Sequence, residues 1–307
     1  MKITKNVLGA VAVSLLLSAC GGNAESAETS AVSDPTPDSI SADTESTAEE
    51  ETAEETTVPQ EVTLESQEIY NQDGLVITAT GLSSDGFLGP EITLLVENNS
   101  DQGLTVQTRN SSVNGYMMDL QISCDVAAGK KANDGMSLSS SQLELAGIDE
   151  IAEVEFNFHI FNTESWETVA DSEPITLTTS AYGNYQQTYD DSGDLLYDNN
   201  GIKIISKGIF TDDPIFGPEV LLYIENNSDK NVTIQARNTS INGFMVDPTM
   251  SAEVAAGKKA IDDITFLNSD LEENQITDIE TIETSFHIFL TDGWDTIEDT
   301  EPISISK

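Results

Sequence analysis

Residues 91–109 read EITLLVENNSDQGLTVQTR, and residues 219–237 read EVLLYIENNSDKNVTIQAR. In the first, Ile92, Leu94 and Val96 alternate with Thr93, Leu95 and Glu97. Past an Asn-rich break, Leu104, Val106 and Thr108 alternate with Thr105, Gln107 and Arg109. Period-two alternation marks a strand with one buried face. Folded as a hairpin about Asn98-Asn99-Ser100, the runs set Val96 against Leu104 and Leu94 against Val106 inside. Glu91 then faces Arg109 outside. The second stretch places Val220, Leu222, Ile224, Val232 and Ile234 inside and Glu219 against Arg237. A slip of one residue would turn the apolar rows outward, so the register is strongly specified.

The likeness of the two stretches extends along the chain. Residues 84–177 fall on 212–305 with a shift of 128 and no gap, and 45 of the 94 positions are identical. A repeat of this length is a duplicated domain rather than a solenoid period. Within each copy, Leu75–Ala79, Ile92–Val96, Leu104–Thr108, Ile122–Val126, Val154–Phe161 and Pro174–Thr178 (first-copy numbers) read as strands. Asn114-Gly115 and Ala128-Gly129 read as turns. Ser141-Gln142-Leu143-Glu144 and Ser269-Asp270-Leu271-Glu272 fit a capping box, predicting one helical turn anchored by Ile148 and Ile151, or by Ile276 and Ile279. The spacing is that of an all-β sandwich.

The N-terminal region reads differently. Lys2 and Lys5 precede an apolar stretch, Val7 to Leu17, broken only by Gly9 and Ser14 and too short to span a membrane. It runs into Leu17-Ser18-Ala19-Cys20-Gly21. This resembles the lipobox of bacterial lipoproteins. The resemblance implies export, cleavage of residues 1–19 as a signal peptide and lipidation of Cys20, which would anchor the chain to the membrane. Loss of Lys2 and Lys5 with that segment would take the formal charge from −43 to −45. A field of this sign repels nucleic acid, so none is expected as a partner.

Residues 21–65 hold thirteen acids and no Lys or Arg, with Ala, Ser, Thr and Pro making up most of the rest. Such a segment cannot bury enough apolar surface to offset its ordering entropy, so 20–65 is expected to be a disordered tether. The predicted organisation continues with repeat one over 66–179, a linker over 180–194 and repeat two over 195–307. Cys124 is the remaining cysteine, and Ala252 takes its place in the second copy. A small buried residue explains both, and no disulfide is available to staple either repeat.

The ENNSD stretch after a core strand, the Gly129-Lys130 turn and the late aromatic strand Phe158–Phe161 accompany the lipobox and acidic tether. Together they resemble the immunoglobulin-like domains of unknown function in Gram-positive lipoproteins. The resemblance implies two tandem immunoglobulin-like β-sandwich domains at the cell surface, and it carries no catalytic residues.

Chemistry-bearing motifs are sparse. His159 and His287 occupy equivalent positions, one per repeat, with no Gly-x-Ser-x-Gly and no zinc-type His or Cys spacing. They are expected as strand histidines, and no enzyme and no cofactor is expected. Asp190-Asp191-Ser192-Gly193-Asp194 resembles a cation-wrapping loop, but position 12 is Gly201 where an EF-hand has Glu, so a solvated linker is expected. Asn110-Ser111-Ser112 matches a glycosylation sequon and is read as turn chemistry.

Arg109/Arg237, Lys130/Lys258 and Lys131/Lys259 are the Lys or Arg kept in both copies. Thr105-x-Gln107-x-Arg109 recurs in Thr233-x-Gln235-x-Arg237 while the intervening residues drift. Outward residues that outlast inward ones point to a shared contact surface for an anionic glycan or a peptide. The competing expectation is structural: a Glu91–Arg109 cross-strand pair and lysines at a tight turn. Trp166 and Trp294 follow the His strand. A Trp near a strand end is expected as a core plug; exposed, it would stack on a sugar.

Overall fold

The computed structural model describes residues 61–211 and 217–306, which fall within one compact unit, Thr57–Lys307. The signal peptide, Cys20 and residues 20–60 of the tether lie outside the described residues. Strands take 54% of the described residues and helices 5%, so the fold class is all-β.

The first repeat runs β1 (Gln67–Gln72), β2 (Leu75–Ser83), β3 (Glu91–Asn98), β4 (Leu104–Val113), β5 (Tyr116–Met117), β6 (Leu120–Gln121), β7 (Cys124–Val126), β8 (Lys130–Leu138), α1 (Ser140–Leu145), β9 (Glu153–Asn162), β10 (Thr168–Asp171) and β11 (Ile175–Thr178). The second runs β12 (Asp194–Asn199), β13 (Ile202–Phe210), β14 (Glu219–Asn226), β15 (Val232–Ile241), β16 (Phe244–Met245), β17 (Ala252–Val254), β18 (Lys259–Thr265), α2 (Asn268–Glu273), β19 (Thr281–Leu290), β20 (Thr296–Asp299) and β21 (Ile303–Ser306). Sheet order in the first repeat is β1-β2-β3-β8-β6 and β10-β9-β4-β5, with β7 on β4 and β11 on β9. The second repeats this as β12-β13-β14-β18 and β16-β15-β19-β20, with β17 on β15 and β21 on β19. Each repeat is sandwich-like, with its own core: Leu94, Val106 and Phe158 in one, Leu222, Ile234 and Phe286 in the other.

The predicted hairpin is corrected. β3 pairs with β2 and β8, while β4 pairs with β9, β7 and β5. The ENNSD stretch is therefore an arch that carries the chain from one sheet to the other. The inward rows are as expected, since Ile92, Leu94, Val96, Leu104 and Val106 are all buried. Alternation alone is satisfied by either arrangement; what selects the arch is Asn98. Its fully buried amide donates to the carbonyls of Gln102 (2.8 Å) and Val126 (2.8 Å). Its Oδ1 accepts from Ser100 N (3.0 Å) and Ser100 Oγ (2.6 Å). Asn226 repeats all four bonds, to Lys230, Val254 and Ser228.

The pair Glu91–Arg109 consequently does not form. Glu91 lies opposite Ser83 and Ser137 and accepts from Ser137 Oγ (3.3 Å), whereas Arg109 lies opposite Asn157 in the other sheet. Glu219 is likewise opposite Phe210 and Thr265, and Arg237 opposite Ser285.

The helical turns are present, but their caps differ. Ser139, not Ser141, accepts from Gln142 N, so the run of serines sets the start two residues earlier. Only half of a capping box is made there, since the buried Gln142 Oε1 has no partner. α2 begins after Leu267 without a side-chain cap. Ile148, Ile151 and Ile279 are buried, and Ile276 is half-buried.

Positive φ at both residues of Asp73-Gly74, Asn114-Gly115, Asn200-Gly201 and Asn242-Gly243 matches the tight turns that suit the right-handed twist of hairpins. Pro248 replaces Leu120, and lacks the N–H that a paired strand donates. Strand β6 thus has no two-residue counterpart, and a single bridge, Thr249 to Thr265, remains.

Two boundaries shift. Leu64 is buried in the first core and Thr63 exchanges bonds with Ser180 (2.8 and 2.9 Å), so the folded region starts before residue 66. The linker is anchored, not freely solvated. Tyr189 Oη donates to Asn114 O (2.9 Å), and Gln187 Nε2 to Gly147 O (3.1 Å). The Lys207 ammonium occupies the acidic loop, contacting Asp190 Oδ2 (2.7 Å), Ser192 O (2.8 Å), Asp190 O (3.2 Å) and Ser192 Oγ (3.2 Å). This contact holds the Asp190 carboxyl well below the usual carboxylate range.

One carboxylate faces inward. Asp262 stands on β18 between Ala260 and Ile264, opposite Leu222. Burial first, then Asp263 and Asp119 nearby, push it up to about 6, while a hydrogen bond from the Asp263 amide opposes the shift. An inward charge on a sheet edge discourages unwanted strand pairing. Its folded value lies above its unfolded one, so its favourable contribution is complete below about pH 4 and lost as pH rises through about 6. Asp262→Asn is expected to raise stability at pH 7 by about 1–2 kcal/mol and to change it little at pH 4. Thermal melts at the two pH values check this.

Candidate binding surface

The outer face of the β10-β9-β4 sheet carries a set of residues identical in the two copies, Thr105, Gln107, Arg109, His159 and Phe161 among them. Strand parity places Thr105, Gln107 and Arg109 of β4 outward, beside Phe161, His159 and Asn157 of β9 respectively. In the second repeat Thr233 lies beside Phe289, Gln235 beside His287 and Arg237 beside Ser285. A bulge follows at once, with Asn110 (φ 50°) and Asn238 (φ 51°) in the left-handed region. Bulges re-aim side chains at sheet edges. The sequon Asn110-Ser111-Ser112 is this bulge.

The aromatic part is built on the β9–β10 turn. Trp166 N donates to Asn162 O (2.9 Å), and the residue adopts φ 62°. Trp294 does the same on Leu290 (3.2 Å) with φ 64°. A bulky residue in this region is strained by about 1–3 kcal/mol and persists where its surroundings impose it. The expected core plug is corrected: Trp166 is 74% and Trp294 75% exposed. Each indole lies flat on a phenylalanine, Trp166 on Phe161 at 5.5 Å and 18°, Trp294 on Phe289 at 5.5 Å and 15°. The ring series ends in His159 (5.5 Å from Phe161) and His287 (4.9 Å from Phe289).

Polar bonds fix the rest of the face. His159 Nδ1 lies 2.6 Å from Asp171 Oδ1, and His287 Nδ1 lies 2.5 Å from Asp299 Oδ1. The carboxylate can only accept, so Nδ1 carries the hydrogen of this bond. Among the described residues no Ser, Thr or Cys bonds either imidazole, and no group of His, Cys, Asp and Glu is arranged to hold a metal. Gln107 Nε2 reaches Ser123 Oγ (3.4 Å), and Gln235 reaches Ser251 (3.3 Å). Thr105 pairs with Thr163, and Thr233 with Thr291, both at 3.0 Å. Arg237 donates to Gln235 Oε1 (3.0 Å). Arg109 is exposed, has no ion pair among the described residues, and lines a groove of about 620 Å³ between the repeats with Glu253, Asp262 and Asp263.

The lysines predicted to share this surface lie elsewhere, and that reading is corrected. Lys131 pairs with Glu97 at the start of β8. Lys258 pairs with Glu155 of the first repeat, and the Lys259 ammonium sits 4.1 Å above the Tyr189 ring. Lys130 is exposed on β8, in the other sheet. Cys124 is buried, and burial first, then Asp134, pushes its thiol up to about 12, which makes it an inert core residue.

Phe161, Thr163, Ser123 and Asp171 were missed as members of the face. Their signal was present: each is identical 128 positions on, at Phe289, Thr291, Ser251 and Asp299. The outer face of the other sheet has diverged instead, with Leu221, Tyr223 and Ile261 at the positions equivalent to Thr93, Leu95 and Asn133. Met117 packs on the second core, while Tyr223 and Ile205 join the first. The inner face of β4–β5 thus continues as the outer face of β14–β18.

No family model matches this chain, and no curated protein matches it. Among solved structures it is similar to the YadV chaperone at 12% identity, covering 76% of this chain and 100% of that one, with a TM-score of 0.24. It is also similar to a protein of unknown function from Porphyromonas gingivalis W83 at 10% identity, covering 71% of this chain and 91% of that one, with a TM-score of 0.20. Likenesses at this level carry no argument about fold or function.

Proposed function

We propose that this chain is a lipid-anchored surface protein, held through Cys20 and the acidic tether, whose two immunoglobulin-like repeats bind an envelope glycan. The observation that carries the reading is the duplicated face: an exposed, strained Trp stacked flat on Phe, within an outward set that differs between the repeats only where Ser285 replaces Asn157 among the residues named. A flat indole offers an apolar platform to the C–H face of a sugar ring, while Gln107 and Arg109 supply donors beside it. Two such faces on one chain suit a polymer, because the second contact becomes intramolecular once the first is made.

A spacer without a ligand is the second reading. It is favoured by the junction, where Lys258–Glu155 and Lys259 over Tyr189 tie the repeats together.

The test is a binding screen of residues 57–307 against envelope glycans and proteins, repeated with Arg109→Ala/Arg237→Ala. Neither arginine has an ion pair among the described residues, so the double variant is expected to keep its stability within about 0.5 kcal/mol per site and to bind roughly tenfold more weakly. A chain that binds nothing in the screen supports the spacer.

A further inference from the structure

The repeats are joined by an edge strand that has an unused twin. After the Asn114-Gly115 turn, Gly115 O accepts from Lys259 N (2.9 Å) and β5 lies parallel to β18. Tyr116 is 2% exposed, with its ring 6.3 Å from Tyr223, and Lys258 pairs with Glu155. In the second repeat the same turn, Asn242-Gly243, leads into Phe244 and Met245, which are 49% and 67% exposed. Glu283, the counterpart of Glu155, is exposed without an ion pair among the described residues. The counterpart of the receiving edge is the start of β8 in the first repeat. There Lys130 is exposed without an ion pair among the described residues, and β6 covers only Leu138 and Ser137.

We propose that these two ends meet between molecules: β16 of one chain docks on the Lys130–Lys131 end of β8 in a second copy, with Glu283 pairing Lys130. The contact reproduces the internal junction. It is weaker, because Leu95, Asn133 and Thr78 stand where Tyr223, Ile261 and Ile205 receive Tyr116. Donor and acceptor lie on different repeats, so the contact is heterologous and adds copies end to end instead of closing a pair. Confinement of the copies to a membrane surface would raise their local concentration and favour it.

Sedimentation of residues 57–307 over a wide concentration range tests this. The average mass is expected to rise with concentration. Lys130→Glu alone and Glu283→Lys alone should each weaken association at least tenfold, since like charges then meet. Mixing the two single variants, or combining them in one chain, should restore it, because every contact again joins opposite charges. Phe244→Ser should weaken association in any of these backgrounds. A chain that stays monomeric at every concentration, or association indifferent to the charge exchange, would overturn the proposal.

Discussion

A chain carrying both Trp166→Ala and Trp294→Ala is expected to lose glycan binding below detection while remaining folded. Each indole is three-quarters exposed, so its truncation removes little core; the main structural cost is uncovering Phe161 and Phe289, which are otherwise buried. That cost is about 1 kcal/mol per repeat, or a few degrees in melting temperature. Loss of a central aromatic platform costs binding about 2 kcal/mol or more per site. Either single variant should lose the benefit of two linked sites, a drop of about 100-fold or more on a polymer. On a short oligosaccharide that fills one face, the single variants should merely halve the number of sites. Calorimetric titration with both ligand lengths separates these outcomes. Binding unchanged in the double variant would remove the aromatic face from the account.

Asn98→Ala, or Asn226→Ala in the second repeat, is expected to be the most damaging single substitution to stability. The side chain is fully buried and makes four hydrogen bonds that tie the arch to both sheets. Its removal takes a partner from the Val126 carbonyl and the Ser100 N–H, at about 1–3 kcal/mol for each buried group left unpaired, while Gln102 O keeps the Ser100 hydroxyl (3.2 Å). A loss of about 3–5 kcal/mol is a large share of what holds a domain folded. Asn98→Asp should be no better, because a carboxylate would face the carbonyls of Gln102 and Val126 where a donor is needed. Urea unfolding of each variant measures this; a loss under 1 kcal/mol would mean that the arch is held by something else.

The same Asn marks the limit of what could be read from the chain. The inward rows Ile92-Leu94-Val96 and Leu104-Val106 were legible, because burial of one face imposes period two whatever strand lies alongside. Which strand that is depends on partners far away in sequence, so a hairpin and an arch look alike locally. A buried Asn and a turn Asn are the same letter, and only the carbonyls of Val126 and Gln102 distinguish them. Trp166 was misjudged for a related reason: proximity to a strand end says nothing of φ, and φ 62° turns the ring out over Phe161. The repeated Thr105-x-Gln107-x-Arg109 was legible as a surface because duplication supplies an internal comparison. Lys258 and Lys259 were misplaced because the comparison cannot tell a residue kept for a ligand from one kept for the neighbouring repeat.

The chain contains two tryptophans, and both lie on the candidate face. Their fluorescence therefore reports on that face alone. The most direct measurement is acrylamide quenching of residues 57–307 with and without saturating envelope polysaccharide. The account predicts strongly quenched, water-exposed indole emission in the free protein, and a blue shift with protection from acrylamide when the polymer is added. Emission already protected in the free protein, or unchanged by the polymer, would contradict it.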